Sequence, residues 1–159
     1  MPDVEEGTNV DMSWQNEQGE WTYCEVKLSE QEFGKATHDQ RHLDKLSRIY
    51  APILKPFCPP TMLEPVEFFK NYQILRNIWL AAREPKASVV FLLPAANTKL
   101  WESLDDVVDS MAPSLRNRIY RVPIEKVLKS LVEDPQCASE LKWYAEQLIE
   151  KYFVPEVVY

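Results

Sequence analysis

A short run of apolar residues near the middle of the chain limits the folds that the chain can adopt. Residues 87–93 read Ala-Ser-Val-Val-Phe-Leu-Leu and are followed directly by a proline. A run of this length and composition predicts a strand that is buried on both faces. Such a strand needs other elements packed above and below it, so the run favours an α/β layer fold.

Further strands and helices are predicted on both sides of this run. Residues 9–15 and 21–28 alternate as the two strands of a hairpin, and residues 118–122 form another short strand. Residues 51–65 hold five prolines and are predicted to form a stiff connector, with Pro52 ending the helix before it. Helical spacing covers residues 38–50, 66–83, 100–111, 124–133 and 136–152. The fold predicted from these elements is a mixed sheet of about four strands flanked by helices.

The length and composition favour a single soluble domain. The chain has 159 residues, of which 45% are hydrophobic and 11% aromatic, and chains of about 100–200 residues usually form one domain. We predict a frayed segment over residues 1–7 and one domain over residues 8–159. No apolar run approaches the roughly 18 residues of a membrane helix, so no membrane association is expected. Three cysteines without a C-x-x-C pair favour a reducing, cytoplasmic location.

The charge of the chain is unevenly distributed. The net charge is −7, but residues 1–40 carry two basic and ten acidic side chains, whereas residues 41–86 carry eight basic and four acidic ones. An acidic chain argues mildly against non-specific binding of nucleic acid, which needs a basic surface. The basic middle segment still allows a local positive face, so charge alone leaves nucleic-acid binding open.

The predicted hairpin brings two carboxylates and a lysine together. Gly19 in the connecting loop is expected to be left-handed, and pairing that is symmetric about Gln18 places Asp11 opposite Glu25. Glu25 and Lys27 share one side of their strand because side chains alternate with a period of two. The other face of the hairpin is predicted to be apolar and carries Val10, Met12, Trp14, Cys24, Val26 and Leu28.

This arrangement of charges suggests metal-dependent chemistry. Facing strand residues have Cβ atoms only about 4.5–5.5 Å apart, and two carboxylates that close are unfavourable unless a cation lies between them. Hard oxygen ligands with room for water favour Mg²⁺ or Mn²⁺. A neighbouring ammonium can hold or deprotonate a metal-polarised water that attacks phosphorus. Two further E-x-K triplets, at residues 84–86 and 140–142, lie in a turn and a terminal helix, where no such convergence is predicted.

The pattern of Asp11 followed by the triplet Glu25-Val26-Lys27 resembles the PD-(D/E)xK nuclease superfamily, which has the restriction-endonuclease-like fold. Residues 28–30 and 72–77 resemble one bacterial branch of that superfamily, largely uncharacterised. The resemblance implies a metal-dependent endo- or exonuclease that hydrolyses phosphodiester bonds in DNA.

The resemblance also implies roles for individual residues. Asp11 and Glu25 would bind Mg²⁺ or Mn²⁺ together with the backbone carbonyl of Val26, and Lys27 would orient or activate water. The helix after the hairpin would contribute Gln73 to the same site.

Two more residues are expected near this site. Arg76 shares a helix face with Gln73 and Asn77 and would contact a DNA phosphate. Glu30 would lie near Lys27 as a supporting carboxylate. We assign no role to Asn77.

The chain departs from the superfamily pattern at its start. The superfamily core has a helix and a strand before the aspartate, and only ten residues precede Asp11 here. We therefore expect an open sheet edge that a homodimer contact or a partner chain completes. A catalytically inactive, nuclease-derived interaction protein is the alternative function.

A zinc hydrolase is a second alternative, because His38 and His42 are spaced as in the H-E-x-x-H motif. Asp39 replaces the catalytic glutamate of that motif, and no third ligand is evident.

A small basic cluster further along the chain is expected to be structural. We predict that Arg116, Arg118 and Arg121 form salt bridges with the acidic helix that carries Asp105, Asp106 and Asp109, and contact with a phosphate is the alternative.

Overall fold

A four-stranded mixed sheet forms the centre of the protein, as a computed structural model that describes residues 10–153 shows. The strands β1 (Met12–Gln15), β2 (Trp21–Val26), β3 (Ser88–Leu93) and β4 (Ile119–Pro123) lie in that order across the sheet. β1 runs antiparallel to β2, and β2, β3 and β4 are parallel. The predicted α/β fold with about four mixed strands is confirmed. The expected frayed segment and both ends of the predicted domain lie outside the described residues.

Helices flank both faces of this sheet. They are α1 (Gln40–Lys45), α2 (Ala51–Leu54), α3 (Pro65–Lys70), α4 (Tyr72–Arg83), α5 (Thr98–Asp109), α6 (Pro113–Arg116), α7 (Ile124–Glu133) and α8 (Ser139–Tyr152). A 3₁₀ turn (Pro60–Leu63) precedes α3. The predicted helices that correspond to α5, α7 and α8 are confirmed to within three residues at each end.

The two faces of the sheet are covered to different extents. On the first face, Val89, Phe91 and Leu93 of β3 are fully buried in the main core, which includes α4 and α5. On the second face, Leu92 packs against α7 and α8, but Val90 is only half-buried. The prediction that β3 is buried on both faces therefore holds for the first face and is only partly right for the second.

The predicted helix over residues 66–83 is two helices, α3 and α4, separated at Asn71. The loop that follows β2 causes this break. Its Ala36 N–H donates to the Phe69 carbonyl at 3.0 Å, and its Gly34 carbonyl accepts from the Gln73 N–H at 3.0 Å. In an unbroken helix, the Gln73 N–H and the Phe69 carbonyl would bond to each other, four residues apart. The break therefore ties the loop after β2 to the start of α4.

Pro52 does not end the preceding helical segment as predicted. A π-helical turn (Leu46–Tyr50) connects α1 to α2, where Pro52 lies in the first turn. Proline lacks an N–H group and clashes with the carbonyl four residues earlier, and a π-type turn relieves this conflict by widening the helix locally. The proline-rich connector is accordingly shorter than expected.

Two of the three clustered arginines make structural contacts of different kinds. Arg121 pairs with Asp105 at 2.6 Å and with Asp109 at 3.3 Å, which confirms the expected salt bridges at that position. Arg118 instead donates from Nη1 to three backbone carbonyls, those of Ala81, Glu84 and Ala87, at 2.7–2.8 Å. Partial burial lowers the pKa of Arg118. The prediction of a salt bridge for Arg118 is therefore wrong, because its guanidinium closes the C-terminal end of α4. The salt bridge predicted for Arg116 is also wrong, because Arg116 contacts a backbone carbonyl, that of Asp109, and no carboxylate within residues 10–153.

We expect that Arg118→Ala lowers the free energy of unfolding by about 1.5–3 kcal/mol, since the carbonyls at the end of α4 lose a charged donor. Urea denaturation followed by circular dichroism measures this change. Arg116→Ala is the matched control, because Arg116 makes a single long bond of 3.4 Å to the Asp109 carbonyl. Equal midpoints for the two variants would contradict the role given to Arg118.

Candidate functional site

The hairpin adopts the register predicted from its sequence. Met12 pairs with Cys24 and Ser13 with Tyr23, and Gly19 has a φ of +76°, the left-handed conformation. Asp11 lies directly before β1. If the same register is continued by one residue, Asp11 lies opposite Glu25.

The Asp11 carboxylate continues the hydrogen bonding between β1 and β2. Its Oδ2 accepts a hydrogen bond of 2.7 Å from the backbone N–H of Val26. The next N–H, that of Lys27, donates to the Leu92 carbonyl of β3. The N–H group of Val26 therefore points toward β1. Its carbonyl points the same way, because the N–H and C=O groups of one strand residue face the same neighbouring strand. The two predicted ligands Asp11 and Val26 thus meet at the β1 side of β2.

The Glu25 carboxylate is the centre of a buried polar network. The residue is 3% exposed, and its Oε1 accepts from Gln73 Nε2 at 2.5 Å and contacts Lys27 Nζ at 3.1 Å. Its Oε2 accepts from Asn77 Nδ2 at 2.8 Å. Gln73 and Asn77 reach the same carboxylate because residues four apart share a helix face. Helix α4 therefore fixes the orientation of Glu25.

Lys27 is enclosed by two carboxylates and an aromatic ring. The residue is 7% exposed, and its ammonium lies 3.6 Å from Glu30 Oε1 in addition to its contact with Glu25. The Phe33 ring centroid is 5.9 Å from Nζ, within the range of a cation–π contact. A buried ammonium is stable only with such partners.

Glu30 lies in the turn directly after β2. Burial by itself raises the pKa of Glu30, but backbone N–H donors, including those of Leu28 and Ser29, and the Lys27 charge outweigh burial and lower the pKa. Glu30 therefore faces Lys27 as a carboxylate, in the supporting position predicted for it.

Gln73 joins this network to the loop after β2. Its side-chain Oε1 accepts from the Gly34 N–H at 2.7 Å, while its Nε2 donates to Glu25. A Cβ atom at Gly34 would lie 3.3 Å from that Oε1, so the loop approaches Gln73 closely. The same glutamine therefore holds both the Glu25 carboxylate and the loop that carries Phe33.

Asn77 belongs to the site although no role was predicted for it from the sequence. It is fully buried, and its Oδ1 has no hydrogen-bond partner, while its Nδ2 donates to Glu25. A buried amide oxygen without a partner is unfavourable, and the hydrogen bond from the amide nitrogen to the charged Glu25 carboxylate offsets this cost. The signal that could have identified Asn77 is its spacing of four residues from Gln73.

We expect that Asn77→Leu lowers the free energy of unfolding by about 1.5–3 kcal/mol, because a hydrogen bond to a charged group is lost. Urea denaturation is the measurement. Gln40→Leu provides the control, since Gln40 makes the same amide-to-carboxylate bond with Asp44 on the exposed surface of α1. An exposed pair of this kind contributes only about 0.2–0.5 kcal/mol. Equal losses in the two variants would show that Asn77 does not stabilise Glu25.

Cys24 lies beneath the site, next to both predicted acidic ligands. Burial raises the pKa of its thiol to about 11, and the negative charges of Asp11 and Glu25 add to this effect. The thiol therefore stays protonated at neutral pH and is a poor nucleophile.

The predicted site residues thus form two groups. Glu25, Lys27, Gln73 and Glu30 contact one another on the first face of the sheet. Asp11 and Val26 meet at the edge, as described above. Arg76 is half-buried on α4, and its guanidinium lies 5.8 Å from the centroid of the Tyr72 ring.

The geometry expected for a zinc site is absent from residues 10–153. Helix α1 begins at Gln40, so His38 lies before it and does not share a helix face with His42. His38 Nε2 contacts the Pro65 carbonyl at 3.1 Å, and His42 Nδ1 contacts Asp39 at 2.8 Å. Within these residues, no three His, Cys, Asp or Glu side chains are grouped to hold a metal ion. The prediction that both histidines lie on one helix is wrong because Asp39 caps the helix between them.

One of the comparisons with known proteins, the comparison with protein families, gives a match for this chain. The protein family described as "Restriction Endonuclease associating with ARP" matches residues 2–153, nearly the whole chain. Neither a curated protein nor a solved structure gives a match. Over residues 10–153, no helix has the length and apolar character needed to cross a membrane.

The family match agrees with the four-stranded mixed sheet and its flanking helices, which have the architecture of a restriction-endonuclease-like domain. The chain belongs to the family described as "Restriction Endonuclease associating with ARP".

Proposed function

We propose that the protein is a cytoplasmic, Mg²⁺-dependent nuclease of the PD-(D/E)xK type that hydrolyses phosphodiester bonds in DNA. The observation that carries this proposal is the buried Glu25–Lys27 pair, which two amides of α4 hold in place in a restriction-endonuclease-like domain. A buried ion pair is costly to keep, so a site that retains one at a strand end is a candidate for function.

The position of this pair in the fold supports the proposal. Glu25 and Lys27 lie at the C-terminal end of β2, which is parallel to β3. In sheets with parallel strands, ligands bind beyond the C-terminal ends of the strands. The loop after β2 and the start of α4 surround that end.

The unoccupied oxygen positions near the site support the proposal of a hydrated magnesium ion. A carboxylate offers about four lone-pair positions. Two lone-pair positions on Oε1 of Glu25 are occupied by donors from Gln73 and Lys27. One position on Oε2 is occupied by the donor from Asn77, so one position on Oε2 is left. Asp11 is exposed, and the Val26 carbonyl points to the same side of β2. One or two carboxylates with several waters are the usual ligands of Mg²⁺, and Mn²⁺ accepts the same set.

In the proposed mechanism, Asp11 and Glu25 would hold the ion with the Val26 carbonyl. A Mg²⁺ ion held there would supply Lewis-acid chemistry, which polarises a phosphoryl oxygen and neutralises developing charge. Lys27 would donate a hydrogen bond from its ammonium to the attacking water and orient it toward phosphorus. As the water oxygen bonds to phosphorus, the bond from phosphorus to the leaving sugar oxygen breaks, and the proton that the water loses passes through solvent to that oxygen. Gln73 and Asn77 prevent Glu25 from rotating during this step. Arg76 would contact a DNA phosphate beside the site.

The metal dependence can be tested with Asp11, because this residue is exposed. Supercoiled plasmid and single-stranded DNA are incubated with the full chain in Mg²⁺, Mn²⁺ or EDTA. We expect cleavage only with metal, and Asp11→Asn should need at least 10-fold more Mg²⁺ for half-maximal cleavage. Glu17→Gln is the control, since Glu17 is an exposed acid in the turn of the same hairpin. Cleavage in EDTA, or equal Mg²⁺ requirements for both variants, would exclude the proposed metal site.

The family description supports a second element of the proposal, association with a partner chain. The family is named for its association with ARP, and we propose that this chain binds such a partner. An interaction protein without catalysis is the second candidate function. It is favoured by the three protein donors, from Gln73, Lys27 and Asn77, that already surround the Glu25 carboxylate. Absence of cleavage by a folded chain, together with binding of ARP, would establish this second function.

A further inference from the structure

An open cleft, which we call the Trp101 cleft, lies at the C-terminal ends of β3 and β4. It has a volume of about 530 Å³ and is lined by Ala95, Trp101, Asp105, Arg121 and Pro123. This volume falls within the roughly 300–1,000 Å³ of small-molecule sites. In sheets with parallel strands, ligands bind beyond these strand ends. The Trp101 cleft therefore has the size and position of a ligand site, and its lining residues have no role in the proposed mechanism.

The sheet register gives the distance between this cleft and Glu25. Glu25 pairs with Phe91, and Phe91 pairs with Arg121, so Glu25 and Arg121 lie in one row on the same face. Neighbouring strands are about 4.7–4.9 Å apart, so β2 and β4 are about 10 Å apart. Beyond β3, the exposed residues Ala95 and Ala96 carry only methyl groups. A nucleic-acid strand bound at Glu25 is therefore within reach of the cleft.

Arg121 lines the cleft with one nitrogen of its guanidinium held in place. Nη1 donates to Asp105 at 2.6 Å and to Asp109 at 3.3 Å. Within residues 10–153, Nε and Nη2 make no hydrogen bond, and the side chain is 33% exposed. Nε and Nη2 form an edge that can donate to two neighbouring acceptors at once. Because two aspartates already orient Arg121, less conformational freedom is lost when this edge binds a ligand.

The charge around the cleft favours a neutral base over a phosphate. Arg121 already pairs with two carboxylates, those of Asp105 and Asp109. A third carboxylate, that of Glu125, accepts from the Ala95 N–H at 2.9 and 3.1 Å. Three carboxylates around one guanidinium repel a phosphate. A base presents acceptors without a negative charge, and the O6 and N7 atoms of guanine are the pair that arginine binds most often.

Trp101 supplies the second contact that a base needs. Its Nε1 donates to the Pro94 carbonyl at 2.8 Å, which anchors the indole to the loop after β3. The side chain is half-buried and lines the cleft. Aromatic side chains bind bases by stacking. A base inside a duplex is already stacked on its neighbours, so Trp101 favours an unpaired base.

We propose that the Trp101 cleft binds an unpaired guanine of the nucleic-acid strand that is cut. Arg121 donates from Nε and Nη2 to O6 and N7 of the guanine, and Trp101 contacts the base. This inference rests on the proposed function and adds a base preference to it.

Fluorescence anisotropy of short labelled single strands, titrated with the full chain in EDTA, tests the base preference. One strand has a single guanine among thymines, and the second has 7-deazaguanine, which lacks N7, at that position. The unchanged chain should bind the guanine strand at least fivefold more tightly. Arg121→Lys keeps the charge but lacks the two-donor edge, so it should bind both strands equally. Arg116→Lys is the matched control and should keep the preference, because Arg116 does not line the cleft.

Trp101→Leu tests the stacking contact. It should weaken binding of both strands at least fivefold, because stacking is largely independent of the base. Circular dichroism confirms that each variant is folded. Affinities within twofold of the unchanged chain for folded Trp101→Leu would overturn the proposal.

Three further results would also overturn the proposal. They are no binding or equal binding of the two strands by the unchanged chain, a guanine preference that persists in Arg121→Lys, and tighter binding of a duplex that contains the same guanine. If Arg121 bound a phosphate instead, the unchanged chain would not distinguish the two strands. The assay contains no Mg²⁺ and measures no cleavage. A guanine preference without cleavage would therefore reject only the nuclease proposal, and Mg²⁺-dependent cleavage without the preference would reject only this inference.

Discussion

Replacing Glu25 with alanine is expected to lower the free energy of unfolding by about 3–5 kcal/mol, the usual cost of removing one partner of a buried ion pair. The change leaves the buried Lys27 ammonium with only Glu30, at 3.6 Å, as a counter-charge. It also removes the shared acceptor of Gln73 and Asn77. Urea denaturation monitored by tryptophan fluorescence measures the loss.

The matched control for this prediction is Glu32→Ala. Glu32 forms an ion pair with Lys35 at 2.6 Å, but both side chains are more than half exposed. Exposed pairs contribute little to stability, so the urea midpoint of this variant should not change measurably. Equal urea midpoints for Glu25→Ala and Glu32→Ala would mean that the contacts of Glu25 with Lys27, Gln73 and Asn77 do not stabilise the fold.

Replacing Lys27 with methionine is expected to reduce the rate of DNA cleavage at least 100-fold. A positioned group that holds or moves a proton in the transition state contributes typically about 10²–10⁴-fold. Methionine keeps an unbranched chain of similar length but has no ammonium to orient water. Single-turnover cleavage of supercoiled plasmid at saturating Mg²⁺ measures the effect, and near-ultraviolet circular dichroism confirms that the variant is folded.

A second E-x-K triplet in the same chain supplies the control for Lys27. Lys86 ends the triplet at residues 84–86, is exposed, and forms a surface ion pair with Glu20 at 3.4 Å. Lys86→Met should therefore cleave within twofold of the unchanged chain. A similar loss in both lysine variants would point to a general effect of charge on DNA binding.

The register of the hairpin could be predicted because local rules determine it, although the strands are Met12–Gln15 and Trp21–Val26 rather than the predicted 9–15 and 21–28. Alternation along the two strands and the left-handed Gly19 set the register that the structure has. The same alternation could not show which face is covered. Met12 and Trp14 lie on the face predicted to be apolar, yet they are exposed because α7 and α8 reach only part of it.

The break between α3 and α4 was not predictable from local spacing. Apolar residues recur at helical spacing on both sides of Asn71, so residues 66–83 resemble one helix. The break depends on Gly34 and Ala36, which take up the hydrogen bonds of Phe69 and Gln73. A contact with a loop more than 30 residues earlier leaves no periodic signal in the helix itself.

The candidate site was predictable where it depends on local spacing, but not where it depends on tertiary packing. The spacing of Glu25 and Lys27 on a strand, and the superfamily resemblance, pointed to Gln73 as their partner, and the structure places these three in contact. The depth of the site and the bond from Asn77 depend on how α4 packs onto β2. An amide on an amphipathic helix looks the same in sequence whether it is buried or exposed.

Cleavage of supercoiled plasmid in Mg²⁺ and in EDTA, by the unchanged chain and by Lys27→Met prepared in parallel, tests the proposed nuclease activity most directly. We expect nicked or linear DNA only from the unchanged chain and only with Mg²⁺. Cleavage by folded Lys27→Met at the same rate, or no cleavage by the folded unchanged chain, would contradict the proposed mechanism.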